Sequence, residues 1–176
     1  LPLKDLDKLL HSKIHEHRLI ALLISAEQFR KTKDEKIVNW FLKNTKQINN
    51  WDLVDLSADK ILGRYLINKD KSILYKLAKS DNLWEKRIAI VSTFAFIREH
   101  SFSDSLKICR ILSKDRHDLI HKACGWMLRE IGKKDEKVLR KYLDKFAKVM
   151  PRTTLRYSIE RLDDKSKKYY LNRKFS

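Results

Sequence analysis

Apolar residues recur at helical spacing along almost the whole chain, and short polar stretches separate the periodic segments. Positions three and four residues apart share one face of a helix, so the pattern predicts amphipathic helices. Asp34, Asn50, Asn82 and Ser103 stand at helix starts, where their side chains can cap free backbone N–H groups. The predicted helices cover residues 3–10, 13–31, 34–46, 51–67, 70–79, 83–99, 103–114, 117–132, 135–148, 151–161 and 164–172.

These helices form pairs, and the pairs repeat. The first helices carry related segments that begin 35, 34, 35 and 34 residues apart, at Arg18, Leu53, Arg87, Lys122 and Arg156. One helical hairpin cannot bury its apolar face, whereas stacked hairpins share a continuous core. The spacing therefore predicts an all-α solenoid (α-α superhelix) of HEAT-like helical repeats, with a concave surface lined by the first helices. No interior linker is visible, so a single domain over residues 1–176 is expected.

Composition supports helices and indicates an anionic partner. The chain has 3 Gly and 2 Pro, too few for a turn-rich β fold. It carries 40 Lys and Arg against 23 Asp and Glu, a net charge of +17. Such an excess favours nucleic acid or a membrane surface, although a lysine-rich proteome would produce it too. Because the basic residues are spread through all repeats, a concave groove for a nucleic-acid backbone is favoured over a membrane.

Several other classes of function are disfavoured. The longest nearly apolar run, residues 88–97, is far shorter than the roughly 20 residues of a membrane span, and no signal peptide is visible. With two cysteines and no disulfide framework, the expected location is cytoplasmic. No Gly-rich phosphate loop occurs, so no cofactor is expected. His11/His15 and His117/His121 have a zinc-compatible spacing, but nothing completes either pair, and no metal is expected.

Two tryptophan segments on first helices are candidates for chemistry. Trp51 and Asp55 are four residues apart and therefore lie on one helix face. A salt bridge to a neighbouring repeat is the alternative explanation of Asp55. Trp126 follows Gly125, and glycine inside a helix costs about 1 kcal/mol relative to alanine. This indicates either a close helix approach or room beside the indole, and a core tryptophan is the alternative.

Other aromatic and charged positions have simpler explanations. Trp40 lies among apolar neighbours and is expected in the core, and Asp52 is a first-turn acid that complements the helix dipole. Arg87 lies three residues after Trp84, near a helix start, where a guanidinium can reach a phosphate. An ion pair between Arg87 and a carboxylate of another repeat is the alternative.

The sequence resembles the AlkD-type bacterial DNA glycosylases, HEAT-like repeat enzymes that excise alkylated purines. The segments Trp-Asp-Leu-Val-Asp and Gly-Trp-Met-Leu-Arg-Glu are the most specific. The stretches that carry the resemblance, in the family's order, are His15-Glu-His-Arg-Leu-Ile-Ala-Leu, Asn50-Trp-Asp-Leu-Val-Asp, Leu83-Trp-Glu-Lys-Arg-Ile-Ala, Lys122-Ala-Cys-Gly-Trp-Met-Leu-Arg-Glu and Met150-Pro-Arg-Thr-Thr-Leu-Arg-Tyr-Ser-Ile-Glu-Arg. Family members carry further helices before the segment where Leu1 begins, so N-terminal helices of the full-length family are expected to be lacking here.

The resemblance implies a glycosylase that hydrolyses the N-glycosidic bond of cationic N3- or N7-alkylated purines in duplex DNA. It implies that Trp51, Asp55 and Trp126 are catalytic-groove residues and that Arg87 contacts DNA. The other predicted DNA-binding residues, on the same first helices, are Trp84, Lys122 and Arg156. We expect a monomer without an obligate protein partner. The alternatives are a non-catalytic DNA-binding or scaffold protein and a protein–protein adaptor.

Overall fold

Every regular element in the computed structural model, which describes residues 1–172, is helical. This confirms the predicted all-α class. A 3₁₀ turn covers Thr45–Gln47 and a π-helical segment covers Asp59–Gly63. The α-helices are α1 (Leu3–Leu10), α2 (His15–Thr32), α3 (Glu35–Lys43), α4 (Trp51–Ser57), α5 (Ser72–Ala78), α6 (Leu83–Ser92), α7 (Phe94–Arg98), α8 (Ser103–Leu112), α9 (Asp118–Lys134), α10 (Glu136–Phe146), α11 (Arg152–Ser158) and α12 (Asp164–Asn172).

Side-chain caps set several helix starts as the sequence indicated. Asp34, Asn50 and Asn82 accept backbone hydrogen bonds at the starts of α3, α4 and α6. Ser103 is an exception, because it is the first residue of α8 and the residue before it, Phe102, provides no side-chain cap. The capping signals in the sequence thus predict the starts of α3, α4 and α6 correctly and fail at α8.

The first helices of the repeat, α2, α4, α6, α9 and α11, pack each against the next in one layer. The helices α5, α8 and α10 pack on the other side of this layer, and α5 also contacts α8. Each first helix contributes fully buried apolar side chains to the core between them, among them Leu22, Val54, Ile88, Met127 and Leu155. The regular sequence spacing thus corresponds to a helical-repeat fold with one face of first helices left open.

Two predicted helices are interrupted. The segment predicted as 51–67 is α4 followed by the π turn, in which the Gly63 N–H donates to the Ala58 carbonyl at 2.9 Å. Gly63 also lies against α6, where an added Cβ would be 2.3 Å from the Ser92 carbonyl oxygen. The segment predicted as 83–99 breaks at Thr93, whose hydroxyl donates to the Ile90 carbonyl. Apolar periodicity continues through both breaks, so the pattern alone could not locate them.

None of the described helices is long and apolar enough to cross a membrane.

Candidate functional site

A cleft of about 290 Å³ opens on the layer of first helices. Helices α4, α6, α9 and α11 each contribute to it, so the site depends on the stacking of successive repeats. Its walls are formed by Trp51, Asp55, Arg87, Leu119, Lys122, Trp126, Arg129 and Tyr157. The structure therefore brings together Trp51, Asp55 and Trp126, the three residues predicted to be catalytic, although their role stays a prediction.

Asp55 is held by a two-point ion pair with Arg87 of the next first helix. The Arg87 Nε donates to Asp55 Oδ1 at 2.9 Å, and Nη2 donates to Oδ2 at 2.8 Å. The Asp55 side chain is 16% exposed and that of Arg87 is 6% exposed. Burial raises the pKa of Asp55 above its ordinary value, while the hydrogen bonds and charge of Arg87 oppose that rise. The cleft thus contains a partly dehydrated carboxylate with a fixed orientation.

The third Arg87 donor is also engaged, since Nη1 donates to the Leu119 carbonyl at 2.6 Å. This buried guanidinium makes the inter-repeat ion pair that the sequence left open as the alternative for both Arg87 and Asp55. Hydrogen bonds to Asp55 and Leu119 use three of the five N–H groups of Arg87, and the side chain is 6% exposed, so little of the guanidinium is open to a phosphate. Contact between Arg87 and DNA stays a prediction, and the observed contacts favour a role in holding Asp55.

The two cleft tryptophans differ in their surroundings. Trp51 is 53% exposed at the start of α4, an unusual position for so large an apolar side chain. Trp126 is half-buried and packs on Phe94, with ring centroids 5.6 Å apart. The Arg98 guanidinium in turn lies 4.0 Å from the Phe94 centroid. Trp126 is therefore supported from behind, whereas Trp51 presents much of its indole to solvent.

Gly125 explains how α9 and α11 approach at the cleft. A Cβ added at Gly125 would be 2.4 Å from the Cβ of Tyr157 and 2.8 Å from the Thr154 carbonyl oxygen. Real Cβ contacts do not occur at such distances, so only glycine allows this approach. Of the two interpretations of Gly125 from sequence, the structure shows the close helix approach.

The other predicted DNA-binding residues occupy different places. Lys122 lines the cleft and pairs with Asp118 one turn earlier on α9, at 2.9 Å. Trp84 is half-buried in the first turn of α6 and packs against the core, and Arg156 is exposed on α11. Neither Trp84 nor Arg156 lines the cleft. Their contact with DNA stays a prediction.

Tyr157 lines the cleft without having been predicted from the sequence, although the sequence contains a signal for it. Tyr157 lies 35 residues after Lys122, which lies 35 residues after Arg87, and all three side chains line the cleft. A strict 35-residue interval would therefore have selected Tyr157 instead of Arg156. Long-range partners leave no such signal, because they depend on how two helices meet.

Asp52 illustrates such a missed partner. Its Oδ2 lies 2.7 Å from the Nε2 atom of His15 on α2, so Asp52 bridges two repeats besides complementing its helix dipole. The negative charge of Asp52 also contributes to the raised pKa of Asp55. Within residues 1–172, no group of three or more His, Cys, Asp or Glu side chains is placed to hold a metal ion.

Residues 2–162 match a protein family with the description DNA alkylation repair enzyme. A search of curated proteins gives no significant match. The matched range includes every residue that lines the cleft.

Proposed function

Because this chain belongs to the DNA alkylation repair enzyme family over residues 2–162, we propose that it is a DNA glycosylase for alkylated purines. Its reaction would be hydrolysis of the N-glycosidic bond of purines made cationic by alkylation at N3 or N7 in duplex DNA. The observation that carries the proposal is the cleft itself, where the Asp55 carboxylate lies with two indoles, Trp51 and Trp126.

Cleavage of the glycosidic bond of a cationic purine requires little from an enzyme beyond electrostatic stabilisation. When the C1′–N bond breaks, its electron pair neutralises the departing base, and positive charge develops on the deoxyribose. A fixed carboxylate in a partly dehydrated cleft stabilises such charge better than water does. Water then adds to C1′ and loses a proton. Asp55 suits both steps, since a carboxylate can face the sugar cation and accept a hydrogen bond from the attacking water.

The Arg87 ion pair fits this role. A carboxylate has about four lone-pair positions, and Arg87 occupies one on each oxygen. The remaining positions stay available to a water molecule and to the sugar. Bidentate pairing also fixes the plane of the carboxylate, and its charge-assisted bonds oppose protonation of Asp55. In this proposal Arg87 positions Asp55 and does not touch the reacting atoms.

The indoles would act on the same charge. An indole face attracts a cation within about 6 Å of its centroid by roughly 0.5–2 kcal/mol. Trp126 is anchored on Phe94 and can offer a fixed ring face, whereas Trp51 is exposed and available to the deoxyribose or the base. The cleft is open, so the enzyme would depend on lesions that are already labile and would not enclose an extruded base.

The test is release of free base from duplex DNA that contains 7-methylguanine. Asp55→Asn should reduce excision by about 100-fold or more, the scale for loss of one preorganised electrostatic group. Asp115→Asn is the matched control, because Asp115 is 11% exposed and pairs with Lys86 of another repeat at 2.7 Å outside the cleft. The control should keep parental activity. Equal activity of the Asp55→Asn variant and the parent would make Asp55 structural and end the proposal.

A second candidate is a non-catalytic DNA-binding repeat protein. The observation that favours it is that each guanidinium nitrogen of Arg87 donates to Asp55 or Leu119, contacts that an inter-repeat ion pair without catalysis would also make. The same assay separates the two functions. Salt-dependent binding of DNA without release of base, at protein in excess over substrate, would favour this second candidate.

A further inference from the structure

Tyr157 presents a free hydroxyl to the cleft. The side chain lies on α11 and is 36% exposed. Within residues 1–172 its hydroxyl has no hydrogen-bond partner, unlike three other tyrosines that donate to carboxylates, namely Tyr65, Tyr75 and Tyr170. A phenol that lines a cleft and is not used within the fold is available to a ligand.

The position of Tyr157 is built into the helix packing. Its Cβ rests against the backbone of Gly125, at a place where no other residue type would fit without a shift. Leu155 and Ser158, on the other side of α11, are buried in the core. The Cβ of Tyr157 is therefore fixed at the contact between α9 and α11, on the side of α11 that faces the cleft.

Lys122 and Tyr157 line the same cleft from two helices that pack together, α9 and α11. Asp118 raises the pKa of Lys122 through a hydrogen bond and its charge. Asp118 is itself held by Thr153 of α11, whose hydroxyl donates to Asp118 Oδ1 at 2.8 Å. The mouth of the cleft therefore presents an ammonium and a phenol O–H from two adjacent helices.

We propose that Tyr157 donates a hydrogen bond to a non-bridging phosphate oxygen beside the damaged nucleotide, with Lys122 on the same phosphate. This inference rests on the proposed function for the identity of the nucleotide and makes Tyr157 a DNA-binding residue. A phosphate fits better than a base because two neighbouring donors select an anion, and tyrosine hydroxyls commonly bond phosphate oxygens. Lys122 would exchange Asp118 for the phosphate.

Binding measurements test the contact directly. The probe is a duplex with one tetrahydrofuran abasic site, which cannot be cleaved, and affinity is read by fluorescence anisotropy. Tyr157→Phe keeps the ring and its contact with Gly125 but removes the donor. A hydrogen bond to a charged group is worth about 1.5 kcal/mol or more, so the dissociation constant should rise about tenfold. Tyr169→Phe, at an exposed tyrosine of α12 outside the cleft, should leave affinity unchanged.

The phosphate is identified by replacing each flanking phosphate in turn with a neutral methylphosphonate. At one position the neutral linkage should weaken DNA binding by the parent protein. At that position the difference in affinity between the parent and Tyr157→Phe should disappear. An identical penalty at every position would overturn the contact. Parental affinity of Tyr157→Phe would also overturn it, and if Tyr157→Leu alone weakened binding, the ring would be the binding group. Because no base is released in this assay, its result is independent of the glycosylase test.

Discussion

Removing the guanidinium of Arg87 should reveal what the ion pair with Asp55 does. The variant Arg87→Met keeps an unbranched side chain of similar length but leaves a buried carboxylate without its partner. Loss of one member of a buried pair costs about 3–5 kcal/mol of unfolding free energy. Both side chains are at most 16% exposed, so solvent offers little compensation. For a domain of this size, about 3 kcal/mol lowers the Tm by roughly 6–12 °C.

The loss of unfolding free energy in Arg87→Met should depend on pH in a defined direction. Burial raises the pKa of Asp55 and Arg87 opposes the rise, so in Arg87→Met the folded-state pKa lies further above the unfolded value. A folded-state pKa that is raised gives stability below the unfolded pKa, and this stability is lost as pH rises through the folded pKa. The destabilisation of Arg87→Met should therefore shrink as pH falls from 7.5 towards the ordinary range of a carboxyl group.

The assays are urea unfolding followed by tryptophan fluorescence, and single-turnover base release over a pH series. In the proposed mechanism base release needs ionised Asp55, so the acid limb of the Arg87→Met profile should lie at higher pH than that of the parent. Arg87→Lys keeps the positive charge but cannot make the bidentate contact, so the acid limb of its profile should lie between those of the parent and Arg87→Met. If the profiles of Arg87→Met and the parent coincide, Arg87 does not control the ionisation of Asp55, and the reasoning fails.

Two further predictions rest on single contacts, and a third rests on the charge of the leaving group. Gly125→Ala should lower the free energy of unfolding by about 1–3 kcal/mol, because the added Cβ overpacks against backbone. Gly132→Ala on the same helix meets the movable tip of the Leu139 side chain and should be nearly neutral. The midpoints of urea unfolding measure both changes. Asp118→Asn should free Lys122, so DNA affinity rises and log affinity falls more steeply with log salt, as titrations at several salt concentrations would show. Duplexes containing uracil or hypoxanthine should release no base by chromatography, because these neutral lesions lack the cationic leaving group.

The helices could be predicted because their determinants are local. Apolar spacing locates them, and short polar side chains such as Asn50 and Asn82 stand where α4 and α6 begin. The breaks at residues 59–63 and at Thr93 escaped prediction. Each interrupts a segment whose apolar residues keep helical spacing, and that spacing looks the same whether or not one hydrogen bond changes register.

Some residues of the cleft could be predicted from the sequence, but the partner of Asp55 could not. Trp51 and Asp55 share a helix face, which is a property of spacing alone. That Asp55 meets Arg87, instead of any other basic side chain, depends on how α4 and α6 pack. With 40 Lys and Arg in the chain, charge complementarity alone selects no partner. Only the relative placement of neighbouring repeats determines which cation is within reach.

The fold has a physical reason to place its carboxylate in an inter-repeat ion pair. A face that binds DNA must stay open and polar, so apolar burial cannot hold successive first helices together there. Hydrogen bonds link the helices there instead. Asp52 and His15 join α2 to α4, and Asp55 and Arg87 join α4 to α6. Such bonds fix a carboxylate in place while leaving part of it exposed. The contact that joins the repeats therefore also orients the group on which the proposed chemistry depends, and a variant of Arg87 must affect both.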